Sequence, residues 1–554
     1  MRVQTAALPD PIAEGYTALK AGEWERARGC FQAALAEGEQ STEALDGMGR
    51  ALWWLNETRA SIRYRERAYA HFRRQGDELT AARIALWLSH EYRDALGNQA
   101  ASNGWFMRAE RLLRDVGPCA EGGWLELARS ERASDPAVAE GHADKALRIA
   151  AKFRDADLEV RALAQLGLAQ VRLGKVEEGM SRFDEAMAGA TGGEASTPET
   201  IGDTCCKLVI ACELTVDSER MAQWARVVND FMTSHDHLPL LAFCGSCCAE
   251  MFVASGRWES AEKELIKALH VLREAGEEVR CVHPAARLAE LRVLQGRLEE
   301  AERLLVGYED LPEAVRPAVA LHLARGELDA ASALLTRRLK QLGQDTMLSG
   351  PLLSLLVEVQ LAQGDLSAAR KTAGHLSEVA RASGQQRLMA EAELAVGRVG
   401  IVAGDKDGSA IAHLEKALEL FSTLRMPLHQ ARTHLELARA HENDKQKVAV
   451  AEARSALATF EQLGATKEAD AAALMLRRLG SGARTGPKGY GVLSKREIEV
   501  LRLVGHGLTN AEIAERLYIS TKTAGHHVGN ILSKLGLRNR SEAAAYAQRS
   551  LSKD

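Results

Sequence analysis

Lys522, His526 and Asn530 recur four residues apart in this 554-residue chain, the spacing that stacks side chains along one face of a helix. Ala524, Val528, Ile531, Leu532 and Leu535 form an apolar stripe at helical spacing on the opposite side. The polar stripe, completed by Ser533, holds hydrogen-bond donors and no carboxylate. That suits a helix entering a major groove, where short side chains donate to base edges and carry no charge that phosphates would repel. The chemistry offered is recognition of a duplex.

Such a helix needs a scaffold, and Leu493 to Ala547 reads as four short helices with a polar cap at each start. Ser494 with Glu497, Thr509 with Glu512 and Asn539 with Glu542 each place a capping side chain three residues ahead of a carboxylate. Ser520 supplies the remaining start. After Arg516 only Leu517-Tyr518-Ile519 separates the second helix from the third, so the two must turn sharply against each other, which is helix-turn-helix geometry.

These residues also carry a resemblance. Leu493-Ser494-x-x-Glu497, Gly507-Leu508-Thr509-Asn510, Ile513-Ala514, Ser520-x-x-Thr523-x-x-x-His527, Ile531-Leu532 and Lys534-Leu535-Gly536 together resemble the LuxR-type helix-turn-helix of bacterial transcription regulators. The resemblance implies that a recognition helix from Thr521 to Leu535 lies in the major groove of double-stranded DNA. It also implies phosphate contacts from Thr509, Lys522, Thr523, His527 and Lys534. Where family members often carry Val this chain has Ala524, where they carry a longer polar residue it has Gly525, and a frequent base-reading position is Gly529. Base readout therefore falls to Lys522, His526 and Asn530. One recognition helix spans few base pairs, so a homodimer reading two half-sites is expected. Ala543, Ala544, Tyr546 and Ala547 in the final helix offer an apolar surface for that contact.

Charge separates this segment from the rest. From Lys488 to Asp554 there are eleven Lys/Arg against six acids; removing them from totals of 71 and 76 leaves 60 against 70. The tail is near +5 and the remainder near −10, so only the tail is attracted to a polyanion.

The remainder is a repeat. Gly15-x6-Gly22-x-Trp24-x-x-Ala27-x-x-x-Phe31-x-x-Ala34 has small residues where two helices approach and a glycine where the turn closes, and it resembles a tetratricopeptide (TPR) repeat. The pattern returns at Gly167/Gly174, Gly256, Gly296, Gly326, Gly364 and Gly404. Weaker copies are expected around Gly49 and from Ala81 to Val116, loops at Gly117 to Gly123 and Gly189 to Glu199, and capping helices from Leu428 to about Leu479. The expected fold is all-α: a loose N-terminus over 1–12, a TPR-like solenoid over 13–479, a Gly-rich linker over 480–490 and the helix-turn-helix domain over 491–554.

Alanine and leucine dominate, and aromatics make up 5% of the chain, as in packed helices. No run reaches the roughly 20 apolar residues of a membrane span, and the N-terminal stretch has no signal-peptide core, so no membrane association and a cytoplasmic location are expected. The nine cysteines (Cys30, Cys119, Cys205, Cys206, Cys212, Cys244, Cys247, Cys248 and Cys281) are then expected as buried thiols. Cys244-x-x-Cys247, with Cys205, Cys206, His235 and His237 in sequence reach, has ligand-type residues but lacks the usual paired spacing of a zinc site. No metal or cofactor is expected. His235-Asp236-His237 is expected in an inter-helix turn. There is no GxxxxGK[ST], HExxH or GxSxG, so neither nucleotide binding by a P-loop nor catalysis is expected.

These observations predict a DNA-binding transcriptional regulator whose array senses a ligand or docks a protein, with RNA polymerase a further candidate partner. The competing expectation is a TPR adaptor whose basic tail binds an acidic protein.

Overall fold

The computed structural model describes residues 10–37, 41–234, 238–343, 346–405, 407–481, 493, 495–517, 519–535, 537 and 539–550. Among these every regular element is a helix, and the chain divides into two compact units, Met1–Met475 and Leu476–Asp554. The fold class is all-α. The expected linker falls almost wholly outside the described residues.

In the first unit, successive helices pair as antiparallel neighbours, from Pro11–Lys20 with Trp24–Glu37 onward, giving a TPR-like solenoid. The pairing follows from small residues at the crossing points. A Cβ on Gly167 would lie 2.7 Å from the carbonyl oxygen of Gly179, and one on Gly179 2.6 Å from that of Gly167, so helices Ala156–Arg172 and Val176–Thr191 approach to backbone contact there. A large side chain fills the space beside each crossing: Phe31, Phe183, Leu265, Leu335 and Leu414 occupy equivalent places and are all fully buried.

Gly256 closes its turn at φ 81°, a left-handed conformation that costs a residue with a Cβ about 1 kcal/mol or more. The other six turn glycines of the pattern share that conformation. Elsewhere the same job falls to Asn56, Arg154, Val216 and Arg425, with φ between 53° and 63°, which explains why the repeat fades in sequence around them. Two expected loops are shorter than their composition indicated. Helix Ala120–Arg132 includes Gly122 and Gly123, and helix Val176–Thr191 includes Gly189. A Cβ on Gly123 would meet Leu158 at 2.5 Å, and one on Gly189 would meet Val160 at 3.0 Å, so these glycines permit close packing inside helices. The array also continues without fading through Gln446–Leu463, where Ala449, Ala453, Ala456 and Phe460 are fully buried.

Contacts far apart in sequence close the array on itself. Arg50 meets Glu199 at 3.0 Å, Gln385 Nε2 donates to the Thr215 carbonyl at 2.7 Å, and Thr466 Oγ1 to the Gln295 carbonyl at 2.8 Å. Buried and half-buried ion pairs run between the helices. The side-chain hydrogen bond from Arg292 holds the Glu262 carboxyl at about 2. Glu250 is held well below its ordinary range because Arg316, Arg287 and Arg387 outweigh its desolvation. A depressed carboxyl contributes stability above its unfolded value, about 4.3, and loses it as pH falls toward the folded value. The melting temperature of the array should therefore hold between pH 7 and 5 and fall steeply below about pH 4. Circular-dichroism melts check this, and an unchanged melt at pH 3 would contradict it.

The cysteines lie within this packing as free thiols. Cys206 Sγ is 3.2 Å from Cys244 Sγ. Cys247 groups with Glu213 and His283, and Glu213 is already engaged by His283 at 2.9 Å and Arg287 at 3.0 Å. His235, Asp236 and His237 lie outside the described residues.

Candidate nucleic-acid interface

The second unit contains helices Lys495–Gly505, Asn510–Leu517, Thr521–Leu535 and Arg540–Ser550. Their starts are capped as the side chains dictate. Thr509 and Glu512 form a reciprocal box: the Thr509 amide and hydroxyl donate to the carboxylate at 2.6 and 2.8 Å, and the Glu512 amide donates to the hydroxyl at 3.3 Å. Those donors hold the Glu512 carboxyl below its ordinary range. Ser520 Oγ accepts from the Thr523 amide at 3.1 Å, and Asn539 Oδ1 from the Glu542 amide at 2.9 Å. Ser494 lies outside the described residues.

Val500, Leu501, Val504, Ile513, Ala524, Val528 and Ile531 form one core beneath these helices. With Ala524, Val528 and Ile531 turned inward, helical geometry sets Lys522, His526 and Asn530 outward, and all three are exposed. Gly529 lies open beside them, with nothing within 4 Å of an added Cβ. Thr523 and His527 are half-buried at the edge of this face. Thr523 Oγ1 shares a hydrogen bond of 2.8 Å with Ser520 Oγ. Gly525 faces the second helix, 3.5 Å from Asn510 Nδ2 when a Cβ is added.

Lys534 takes a structural partner: its Nζ lies 2.7 Å from Glu497 Oε2, and the Glu497 side chain is 4% exposed. An ammonium has three donors, and this pair uses one. Lys534→Ala would remove a cation from a buried carboxylate, a change that costs about 3–5 kcal/mol when both partners are buried and less for this half-exposed lysine. We expect Lys534→Ala to lower the melting temperature of the second unit and Lys534→Arg to restore most of it, as followed by a two-phase thermal melt. Equal melts for Lys534→Ala and the parent chain would contradict the pairing.

The final helix corrects one expectation. Ala543 and Ala547 are 1% and 3% exposed within the domain's own core, and a Cβ on Gly505 would lie 2.7 Å from the Ala547 methyl. Both pack within the domain's own core rather than on its surface. Ala544 and Tyr546 are half-buried. Two arginines that the sequence showed only as charge turn out to position the motif. Arg540 reaches Asn510 Oδ1 at 2.8 Å and also the Leu508 carbonyl, and Arg496 reaches the Leu517 carbonyl. Both ends of the second helix are thus fixed by guanidinium donors. Their signal is geometric, since no spacing rule links Arg540 to a residue thirty positions earlier.

A compact four-helix unit with a sharp turn before an exposed, acid-free helix defines a helix-turn-helix domain of DNA-binding type. Residues 491–547 match the family model "Bacterial regulatory proteins, luxR family", so the domain is a LuxR-type helix-turn-helix. Over 57 residues the chain is 56% identical to transcriptional regulatory protein LnrK and 53% identical to LiaR, both of Bacillus subtilis (strain 168). Over 58 residues it is 47% identical to oxygen regulatory protein NreC of Staphylococcus aureus (strain JH9). Each match takes 10% of this chain, and the chain spans about a quarter of those relatives' length, 26–27%. Among solved structures, yeast Tom70 aligns with 79% of this chain and 97% of its own at 11% identity and a TM-score of 0.34. The APC/C hetero-tetramer Cut9-Hcn1 aligns with 97% of this chain and 98% of its own at 12% identity and a TM-score of 0.39. No helix among the described residues is long and apolar enough to cross a membrane.

Proposed function

We propose that the chain is a sequence-specific transcriptional regulator of the cytoplasm whose TPR-like array senses a ligand or docks a protein partner and passes that state to the DNA-binding domain. The observation that carries the DNA reading is the exposed stripe of Lys522, His526 and Asn530 on a helix whose opposite face is locked into the core. In this reading the Thr521–Leu535 helix enters the major groove and those three side chains read base edges. Thr509, Thr523, His527 and the remaining donors of Lys534 contact phosphates and set the register. A homodimer would place two such helices about one helical turn apart on the duplex, with Ala544 and Tyr546 as the part of the final helix left for that contact. RNA polymerase is the partner such a regulator would recruit or block.

The test is selection of duplexes from a random pool by the full chain, followed by footprinting. Enrichment of a two-part motif with both halves protected supports the reading. A chain that retains no duplex would instead favour an adaptor whose basic tail meets an acidic protein.

A further inference from the structure

The first helices of six successive pairs, from Leu238–Ala254 to Pro427–Ala440, share an inner face around one cavity of about 120 Å³. At roughly 10–15 Å³ for each water, that is room for about ten waters or one small molecule. Its wall carries both signs of charge, five arginines against four glutamates. Glu290 takes Arg316 at 2.7 Å and Arg287 at 3.2 Å, and Glu250 lies within 3.8 Å of Arg287, Arg316 and Arg387. Arg432 meets Glu468 at 2.6 Å, and Arg398 meets Glu436 at 3.0 Å. Its arginines are each already paired with a carboxylate, so desolvating a ligand of net charge there would be costly.

Two features of that wall are unspent. Glu391 lines the cavity with a side chain 6% exposed; Oε1 accepts from Arg387 at 3.0 Å, while Oε2 has no partner. His429, also in the lining, has an Nδ1 without a partner. Leaving such a buried acceptor unmade is unfavourable. Arg316 and Arg432, also in the lining, each bond their carboxylates through Nη2, and a guanidinium has five donors. Between the polar groups lies an apolar strip that includes Leu291, Leu355, Leu394 and Leu428.

We propose that this cavity is the effector site of the array and that it takes a free apolar α-amino acid. The ammonium donates to Glu391 Oε2, the carboxylate accepts from Arg316 or Arg432, and the side chain covers the leucines. A net-neutral ligand with both heads and an apolar body gives Glu391 Oε2 a donor and the arginines an acceptor without adding net charge to the wall. This rests on the reading of the array as the sensing part of a regulator.

The test is isothermal titration calorimetry of the full chain with L-leucine, L-methionine and L-phenylalanine. Each is compared with glycine, with 4-methylpentanoate, which lacks the ammonium, and with isoamylamine, which lacks the carboxylate. At least one of the three amino acids should bind, and the single-headed analogues and glycine should bind at least tenfold more weakly. Glu391→Gln should weaken the amino acid at least tenfold, and the analogue series on the parent chain stands even if that variant fails to fold. No heat from any of the three amino acids, or 4-methylpentanoate binding as tightly as leucine, would overturn the proposal. DNA selection by the ligand-free chain is scored separately, so the cavity assignment can fail while the regulator reading stands.

Discussion

Phe183→Ala will destabilise the array by about 3–5 kcal/mol, the range for removing a buried aromatic side chain and leaving its cavity. Phe183 is 0% exposed and fills the space beside the Gly167–Gly179 crossing, with its Cδ2 3.1 Å from where a Gly167 Cβ would stand. Those helices meet through backbone at the crossing, which limits how far the neighbours can close on the void. Stability in a repeat array is a sum over neighbouring repeats, and loss of one interface should split the melt into two phases, with the repeats around residues 156–215 opening first. Met107→Ala, at a position 61% exposed, should change stability by less than about 0.5 kcal/mol. A Phe183→Ala chain that melted as cooperatively and as high as the parent would show that the crossing is not the unit of packing.

His526→Ala and Asn530→Ala will each reduce affinity for the selected duplex by about 1–3 kcal/mol, or roughly 5- to 150-fold, while leaving binding to random duplex within about twofold. Both side chains are exposed and outside the core, so the fold should tolerate their removal. Because they sit one turn apart on one face, the double variant should lose most sequence preference. Measured by competition binding, an equal drop on specific and random DNA would mean that this face does not read bases. Specificity would then lie in duplex shape, with the open backbone at Gly529 as the closest approach.

Local chemistry made the DNA-binding domain legible in sequence. Thr509 with Glu512 and Ser520 at the third start are complete within four residues, and their hydrogen bonds form as the side chains require. The array was legible wherever glycine closes the turn and a large side chain fills the crossing, as at Gly22 with Phe31 and Gly174 with Phe183. It was hidden where Asn56, Arg154, Val216 or Arg425 takes the left-handed turn, because Arg and Val carry no turn signature and a lone Asn carries a weaker one than glycine. Ala543 and Ala547 illustrate a second limit: an alanine stripe says that a face is apolar, not which neighbour covers it, and here the covering neighbour is Gly505 of the same domain. The cavity could not be read at all. Glu250, Arg316, Glu391 and His429 come from four different repeats and meet only once the helices are stacked. The paired role of Lys534 was hidden likewise, since Glu497 is thirty-seven residues away.

In the proposed function the Thr521–Leu535 helix delivers the chain to duplex DNA through charge and then selects sequence through its outward face. The most direct measurement is the affinity of the full chain for its selected duplex and for a scrambled one, titrated from 50 to 200 mM salt. The expected result is a fall of about 0.9 in log affinity per log salt for each phosphate contacted, nearly parallel for the two duplexes, with the selected one bound at least about a thousandfold more tightly throughout. Affinity that does not change with salt, or two duplexes bound equally at every salt concentration, would contradict it.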